Sequence, residues 1–388
     1  MDDMKKPDKN ILIFVNAFWI FGEGMSGGDQ MLVQIFKRIR SSFRKVYCCT
    51  NDSGREAVSK EIPGIEFLVS PRFYDLLGIY GAYLFRTIHA AVICFKPGVD
   101  VLYSSSDFFP DVVPACLYRI THPRVKWVQC VFHIYPDWRT RPGSRVRSFI
   151  GQSMQKMSLW FIRRADLIVN INSLVRDELI SRGFDAEKIV INTPGIDLAS
   201  HQAETASEPG YDGLFLARMS PTKGIRELVE IWKNVINKAP GAKLGIVGWG
   251  DAGTIGLLRR EISENGLEDN IIILGYVPDQ RARALMRGAK VFLFPSHEEG
   301  FGIAVADALA CGLRVVAWDL PVYNEVFGGH ITAVKRYDLK QFASAIVEIL
   351  EERGSARSLK NISDGKQFVG RYSWEMIAEK HRKMLCAN

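Results

Sequence analysis

The sequence predicts an α/β fold of two doubly wound domains, on the basis of three observations. Short apolar runs alternate with helical patterns through nearly all of the 388 residues. These runs are apolar at every position instead of every second one, as expected of parallel strands covered on both faces. A polar stretch near the middle interrupts the alternation, which then resumes, and a chain of this length commonly forms two domains.

Residues 1–197 are predicted to form the first domain. Helical patterns such as DQMLVQIFKRIR separate six strand-like runs, the order expected for parallel strands with helices on both faces of their sheet. The N-terminal run is assigned to a buried strand and not to a signal peptide, because a small-residue cleavage site is missing. The runs are ILIFVN (11–16), VYCCT (46–50), IEFLVS (65–70), DVLYS (100–104), VKWVQCV (125–131) and DLIVNI (166–171).

Residues 211–370 predict a second domain of the same type. The stretch LASHQAETASEPG is small, polar and without an apolar period, so residues 198–210 are predicted to be a linker. Residues 371–388 predict an amphipathic C-terminal helix that packs back toward the first domain. The strand-like runs of the second domain are GLFLAR (213–218), KLGIVG (243–248), NIIILG (270–275), KVFLFP (290–295) and LRVVAW (313–318).

Cysteine content and charge indicate the cellular compartment of the protein and the kinds of partner it binds. The seven cysteines show no Cys-x-x-Cys spacing, which favours a reducing, cytoplasmic compartment. The longest candidate for a membrane span, residues 76–95, is interrupted by Arg86 and His89, so a membrane-spanning helix is not expected there. The net charge of +7 is concentrated in residues 1–200, which hold 26 Lys and Arg against 20 Asp and Glu.

Residues 119–164 carry this basic bias. They contain ten Lys or Arg and one acid, Asp137, with aromatic residues interleaved. Such a mixture is typical of a segment that contacts an anionic membrane surface or a lipid-linked phosphate. A solvated basic helix beside core aromatics is one alternative, and another polyanion is a second. Nucleic acid is not expected, because no nucleic-acid motif accompanies the charge.

The loops after the strands are the candidate binding sites, because ligands of doubly wound domains bind at the carboxyl ends of strands. After GLFLA, Arg218 and Lys223 lie five residues apart in a short loop that begins a helix. Two cations beside the free N–H groups of a helix N-terminus favour anion binding. A solvated charged loop is the alternative. The next strand ends in a Gly-x-Gly turn at Gly248, which alone is a weak signal.

The stretch EEGFGIAVADALACG follows the strand KVFLFP. Gly300 and Gly302 allow a tight turn and a close approach of ligand to backbone. A helix is predicted to begin near Ile303 with free N–H groups. Glu299 is expected at the strand end and Asp307 within the helix. Because a buried acid without partners is costly, Asp307 is predicted to accept hydrogen bonds from ligand hydroxyls. A solvent-facing Asp or an internal cap is the alternative.

The segments ARMSPTKG, LGIVGWGD and SHEEGFGIAVADALACGLRVVAWDLPVYNEVF together resemble the family-4 glycosyltransferases. The resemblance covers nearly the whole chain and is densest from Asp166 to Leu320. It implies the GT-B fold, in which two Rossmann-like domains face a central cleft. It also implies retaining transfer of a hexose-type sugar from a UDP- or GDP-linked donor to a glycan or lipid-linked acceptor, in surface polysaccharide or glycolipid synthesis.

The resemblance also implies roles for charged residues. Arg218 and Lys223 would bind the nucleotide diphosphate. Glu299 and Asp307 occupy the two acid positions of the family's Glu-x7-Glu motif, of which the first contacts the transferred sugar and the second the ribose hydroxyls. The second acid here is Asp, which is one methylene shorter than the usual Glu. His133 would lie beside the reacting sugar, although a lone His is more often structural.

The remaining donor contacts implied by the resemblance are mostly made by backbone. The family's first glycine-rich loop often reads Gly-Gly-x-Glu, and here the acid is missing or shifted, because Asp29 and Gln30 follow the two glycines. The implied donor-binding positions are Gly27 and Gly28 in that loop, Gly248, Tyr276 and Val277 near the nucleobase, and the backbone of Gly300, Phe301, Gly302 and Ile303.

Two other functions stay open. A catalytically weak or inactive sugar-nucleotide-binding homologue would account for the shorter acid at Asp307 and for Gln30, and a sugar phosphorylase on the same scaffold is a further alternative. No cofactor is expected beyond the nucleotide-sugar substrate. The protein is expected in the cytoplasm, in peripheral contact with the inner face of the membrane.

The absence of an Asp-x-Asp motif predicts a transfer that needs no bound metal. The cationic pair and the helix N-termini would stabilise the charge that develops on the leaving diphosphate. A strong chelator should therefore leave the rate of sugar transfer nearly unchanged. Complete loss of activity that magnesium or manganese restores would contradict this expectation.

Overall fold

The computed structural model describes residues 8–19, 25–95, 98–135, 137–139, 145–202 and 210–387. Its contacts divide the chain into two compact units. The first holds the described residues up to Pro194 together with residues 374–387, and the second holds Gly195–Ser373. Each unit contains an all-parallel sheet, so the predicted α/β class is confirmed.

The first sheet has the strand order β3-β2-β1-β4-β5-β6-β7. The order reverses between β1 and β4, which places a topological switch point at their carboxyl ends. The last strand is only three residues long and half-buried, and the apolar-run criterion did not find it. The strands are β1 Asn10–Phe14, β2 Lys45–Asn51, β3 Glu66–Ser70, β4 Val101–Ser104, β5 Lys126–Cys130, β6 Leu167–Asn170 and β7 Ile189–Ile191.

Helices connect these strands. The first begins at a Ser26 cap, whose hydroxyl accepts the N–H of Asp29 at 3.2 Å. The third packs against the fourth and the fourth against the fifth, so these three form one layer. The helices of this part are α1 Gly27–Ile39, α2 Asp52–Glu61, α3 Gly78–Ile93, α4 Phe109–Thr121, α5 Arg145–Ile162 and α6 Ser173–Ser181.

The second sheet has the order β10-β9-β8-β11-β12-β13 and a switch point between β8 and β11. Its strands are β8 Gly213–Leu216, β9 Leu244–Val247, β10 Ile271–Gly275, β11 Val291–Phe294, β12 Arg314–Trp318 and β13 Thr332–Val334. The helices of this unit are α7 Leu198–Gln202, α8 Ile225–Ile236, α9 Ala252–Glu264, α10 Asp279–Gly288, α11 Ile303–Ala310, α12 Pro321–Phe327, α13 Leu339–Glu351 and α14 Ala356–Val369.

The predicted linker is wrong in its first part, because Leu198–Gln202 forms helix α7 within the second unit. Asp197 explains the helix start: its carboxylate accepts the Ser200 N–H at 3.2 Å and the Ser200 hydroxyl at 2.6 Å. Residues 203–209 of the predicted linker lie outside the described residues.

One helical stretch among the described residues, Arg72–Ile93, has the length and composition of a membrane-crossing helix, with a mean hydropathy of 1.4 in its most apolar window. It consists of a 3-10 segment, Arg72–Leu77, followed by α3. Helices in the cores of soluble proteins pass the same test. Ala82, Arg86 and Ala90 are buried in the fold, so this helix belongs to the first unit.

The C-terminal helix, α15 Trp374–Cys386, belongs to the first unit and packs on α1. Its anchor is His381, which is fully buried. The Nε2 atom lies 3.1 Å from the Tyr103 hydroxyl, and Nδ1 contacts the Asn192 side-chain amide. Burial, with a smaller effect from the charge of Lys380, lowers the pKa of His381 to about 3, so the ring is neutral in the folded protein.

This anchor makes the folded protein sensitive to acid. The unfolded chain protonates this histidine near 6.5 and the folded chain only near 3, so the unfolded state binds more protons between these values. Stability should fall as pH drops below 6.5, by up to about 1.4 kcal/mol per pH unit from this group. In chemical unfolding, H381Q should show a shallower dependence on pH over that window. Y103F, which keeps the histidine, is the control, and identical slopes in wild type and H381Q would refute the assignment.

Candidate active site

Three loops at the carboxyl end of the second sheet are held together by backbone contacts. The loop after β11 meets the loop after β8 through the His297 N–H, which donates to the Thr222 carbonyl at 2.9 Å. Gly224 adopts φ 72°, and a side chain there would lie 2.0 Å from the Pro295 carbonyl oxygen. Gly248, after β9, has φ 141° and leaves only 1.8 Å to the Ala217 carbonyl oxygen. Glycine is therefore required at both positions.

Lys223 and Glu299, both predicted site residues, form an ion pair at this switch point. The ammonium contacts Glu299 Oε1, lies 3.4 Å from the Glu298 carbonyl oxygen, and sits 5.8 Å from the centre of the Phe294 ring. The side chains are 22% and 10% exposed, so water screens the pair only partly. Each charge stabilises the other in a half-buried place that would be costly for either alone.

Arg218 lies in the same loop as Lys223 and is exposed. The neighbouring residue, Met219, fixes this part of the loop, because its N–H donates to the Trp249 carbonyl at 2.7 Å. Lys223 ends a 3-10 turn, and α8 begins two residues later, after Gly224. The two predicted cations thus belong to the loop that leads into the N-terminus of α8, where an anion is favoured.

The turn before α11 has the geometry predicted for backbone binding. Gly302 adopts φ 96° as the N-cap, and no described side chain caps the helix that starts at Ile303. The ring of Phe301 is buried against Phe327 and Tyr372. Its side chain is therefore a packing anchor, which leaves only its backbone for ligand contact. Gly300 is half-buried in the same turn.

The Asp307 side chain is 29% exposed and has a charged partner. Its Oδ1 lies 3.1 Å from Nε2 of His201 in α7, whose side chain is 4% exposed. The ring N–H is poorly aligned with the oxygen, so the contact acts through charge when the ring is protonated. Burial of the ring lowers the pKa of His201, but Asp307 and the Asp197 carbonyl outweigh this, and the net pKa is raised.

The predicted nucleobase positions lie on adjacent strands. Gly248 follows β9, and Tyr276 and Val277 follow β10, which ends at Gly275 with φ 71°. The Gly248 N–H donates to the Gly275 carbonyl at 2.9 Å, so the two turns are held together. Tyr276 is 42% exposed and Val277 is buried. Of this pair, only the tyrosine ring is presented for contact.

His133, Gly27 and Gly28 belong to the first unit. His133 follows β5 and packs its ring against Tyr135 at 5.9 Å, nearly perpendicular. Gly27 and Gly28 are the first residues of α1. A side chain at Gly28 would lie 3.1 Å from the ring of Phe132. The glycine-rich loop and the histidine loop are thus neighbours.

Sequence reasoning missed the polar residues that fix these two loops. Gln155 of α5 donates from Nε2 to the Asp107 carboxylate and to the His133 carbonyl, both at 2.6 Å, and accepts the Tyr135 N–H. Burial raises the pKa of Asp107 to about 6. Asp107 could have been found by the rule already applied elsewhere, since it comes soon after a predicted strand.

Asp111 of α4 was also missed. Its Oδ1 accepts the N–H groups of Asn16 and Ala17 at 2.6 and 3.2 Å, and Oδ2 accepts the Ser106 hydroxyl at 2.5 Å. It thereby joins the loops after β1 and β4 at the switch point. Burial raises its pKa to about 7, and burial likewise raises the pKa of Asp29 to about 6. An acid in a pattern that reads as apolar helix was the available signal.

Two further residues support the site of the second unit. His297 is buried, and its Nε2 lies 2.8 Å from Glu227 Oε1 in the first turn of α8. Burial raises the pKa of Glu227, but the bond from His297 outweighs this and the pKa is lowered. Tyr323 is buried beside Gly302, and its hydroxyl has no hydrogen-bond partner among the described residues. It is a candidate donor to a ligand bound at this turn.

Within the described ranges, no group of three or more His, Cys, Asp or Glu side chains has the geometry of a metal site. The structure brings together Lys223 with Glu299, Gly248 with the loop of Arg218, and Gly300 with Ile303. It pairs Asp307 with His201, which the sequence did not indicate.

A family model described as glycosyl transferases group 1 matches residues 199–366. This range covers most of the second unit and includes both cations and both acids of the site. The second unit is a group 1 glycosyl transferase domain. The predicted resemblance is therefore confirmed for this part of the chain.

Several curated relatives of this chain are mannosyltransferases. GDP-mannose:cellobiosyl-diphosphopolyprenol alpha-mannosyltransferase of Xanthomonas campestris is 29% identical over 189 residues, 48% of this chain and 50% of that protein. Phosphatidyl-myo-inositol mannosyltransferase of Mycobacterium tuberculosis is 32% identical over 218 residues, 53% of this chain and 55% of that protein. The match thus spans about half the length of these relatives.

Solved structures align with the whole chain. Anabaena Alr3699/HepE, crystallised with UDP and glucose, superposes with a TM-score of 0.76 over 98% of this chain and 100% of that chain, at 16% identity. At this identity the likeness shows the fold alone. The fold is GT-B, as predicted.

The pairing of His201 with Asp307 generates a pH prediction. Because the folded pKa of His201 is raised above 6.5, its contribution to stability is present below that value and is lost as pH rises through the folded pKa. Charges facing the ring are Asp307 of α11 and Arg283 of α10. The difference in melting temperature between wild type and H201Q should be largest in mild acid and shrink above pH 6.5.

D307N is the matched variant, because it keeps the shape of the side chain and removes its charge. The difference in melting temperature between wild type and D307N should depend on pH in the same way as the difference between wild type and H201Q. A difference that stays constant with pH in both comparisons would show that the two side chains do not interact through charge.

Proposed function

We propose that this protein is a retaining glycosyltransferase that moves a hexose-type sugar from a UDP- or GDP-linked donor to a glycan or lipid-linked acceptor. The observation that carries the proposal is the Lys223–Glu299 ion pair at the β8/β11 switch point of a group 1 glycosyl transferase domain. A cation and an acid held there suit a substrate that presents a diphosphate next to sugar hydroxyls.

Donor binding would exchange the partners of this pair. The diphosphate would take Lys223 and Arg218 as counter-charges and the N-terminus of α11 as a source of N–H donors. Glu299 would then be released from the ammonium and could accept a hydrogen bond from the transferred sugar. The charge that develops on the leaving diphosphate would strengthen its contacts with the two cations as the sugar bond breaks.

Retention of anomeric configuration is proposed on the resemblance stated above. Glu299 is held by Lys223 and is assigned to hydroxyl recognition, so no enzyme nucleophile is assigned. The acceptor would attack from the face that the diphosphate leaves, and the diphosphate would take the acceptor proton. In the first unit, His133 is proposed to contact the reacting sugar, with Gln155 holding its loop.

The names of the relatives support a lipid-linked acceptor, since one uses a diphosphopolyprenol and the other phosphatidyl-myo-inositol. The basic residues of 119–164 would attract such anionic acceptors; Arg141 lies outside the described residues. We place the protein at the cytoplasmic face of a membrane as a peripheral enzyme of glycolipid or surface polysaccharide synthesis.

The pairing of Asp307 with His201 favours one second candidate, a sugar-nucleotide-binding protein with little or no catalysis. Both proteins would be stabilised by a nucleotide sugar, because a ligand that binds only the folded state raises its melting temperature. Slow hydrolysis of the same nucleotide sugar, without acceptor, separates them. Binding with no hydrolysis and no transfer would favour the second candidate.

The catalytic assignment is tested with K223A and a UDP- or GDP-hexose that stabilises the wild type. The lost contact is worth roughly 1.5–3 kcal/mol, and turnover at saturating donor should fall by about a hundredfold or more. K233A, which removes an exposed charge from the far part of α8, should keep wild-type turnover. A folded K223A with undiminished turnover would remove the ion pair from the mechanism.

A further inference from the structure

The outward face of the Arg72–Ile93 helix is apolar. Only 22% of its most apolar window is buried. Surface helices normally present polar residues to solvent, yet this one exposes large apolar side chains at helical spacing. Among them are Leu76 at 86%, Val92 at 72%, Phe73 at 60%, Leu84 at 59% and Ile88 at 54%.

Of the charged residues in this stretch, Arg72 at its start is exposed, whereas Arg86 and Asp75 pair with each other. Arg86 is fully buried and donates from Nη1 to the Asn16 and Phe18 carbonyls, both at 3.1 Å. Its other terminal nitrogen contacts Asp75. The exposed side of α3 therefore carries no charged residue. A contiguous apolar face of this kind indicates an interaction surface.

The charge of the neighbouring helices indicates which kind of partner binds the apolar face of α3. Helices α3, α4 and α5 form one layer and contain a single acid, Asp111, which is buried. The exposed part of α5 carries basic and apolar side chains together: Lys156 is exposed and Trp160 is 55% exposed. Arg164, two residues after the helix, lies over the Trp160 ring at 4.7 Å. The layer thus presents apolar and cationic groups and no helical carboxylate to the outside.

We propose that the outer surface of the α3–α5 layer docks onto an anionic lipid bilayer, with α3 lying in the interface plane. An apolar helix face flanked by basic side chains is the composition that binds such surfaces. A spanning helix is excluded by the buried inner face and by Arg86. A second copy of this chain is a poorer partner, because it would bring two cationic layers together, and like charges across an interface are costly.

This inference rests on the proposed function in one respect: a lipid-linked acceptor is presented at a bilayer surface. It assigns membrane contact to α3 as the inserted element, whereas the sequence indicated residues 119–164. In the structure, the basic face of α5 supplies attraction and α3 supplies apolar area. The electrostatic and apolar contributions to binding can be separated by experiment, since salt screens the electrostatic attraction and not the apolar contact.

The test is sedimentation of the full chain with vesicles of phosphatidylcholine containing roughly a third phosphatidylglycerol. L84Q/I88Q removes two exposed apolar side chains one turn apart on α3, and its partition onto these vesicles should fall by about tenfold or more. The control L257Q/L359Q removes side chains of similar exposure, 46% and 60%, from α9 and α14, and should partition like wild type. Pure phosphatidylcholine vesicles should bind wild type more weakly, and high salt should abolish that difference.

Three outcomes would overturn the proposal: no vesicle binding by wild type, equal losses in both double variants, or a dimer in solution that L84Q/I88Q dissociates. Hydrolysis of the nucleotide sugar without vesicles should be unchanged in L84Q/I88Q, since neither Leu84 nor Ile88 is a proposed donor-binding residue. Vesicle binding without any nucleotide-sugar binding would sink the proposed function and leave the docking surface standing. The reverse result would sink the docking surface alone.

Discussion

The backbone contact among three loops is the constraint on which the site of the second unit depends. The carbonyl oxygens of Ala217 and Pro295 lie within about 2 Å of where side chains would begin at Gly248 and Gly224. Any larger residue would push the loops apart, and with them Lys223 and Glu299. The ion pair, the cationic loop and the start of α11 therefore share one geometry, which these backbone contacts hold. Such preorganised charges need little rearrangement during a reaction.

In the first unit, buried side chains hold the loops at the carboxyl end of the sheet in place. Asp111 binds backbone N–H groups from the loop after β1, and Gln155 binds the loops after β4 and β5. Buried polar groups of this kind are costly unless every partner is present, so they tie the position of His133 to α4 and α5. The raised pKa values of Asp107 and Asp111, about 6 and 7, are the electrostatic consequence of burying these carboxylates.

Local signals explain what could be predicted from the sequence. Strands covered on both faces appear in the sequence as apolar runs, and these runs located eleven of the thirteen strands in the described residues. Glycines at forced turns, such as Gly224 and Gly302, mark the loops. The pairing of Asp307 with His201 could not be predicted, because α7 lay in a segment that reads as polar linker and its contact with α11 is distant in sequence. Strands β7 and β13 were missed because three partly buried residues make no periodic signal. The partner of Lys223 was likewise hidden, since it lies 76 residues away.

Arg86 connects the two functions inferred for the first unit. Its guanidinium holds the carbonyls of Asn16 and Phe18, and its own carbonyl accepts the Asn16 side-chain N–H at 3.0 Å. The loop after β1, which Asp111 also holds, is thus attached to the inner face of the helix whose outer face is apolar. A bilayer seated on α3 would therefore be in fixed register with the loop that leads toward Gly27 and Gly28. Burying an arginine costs desolvation free energy. Holding the loop after β1 in a fixed position relative to α3 gives Arg86 a role beyond stability.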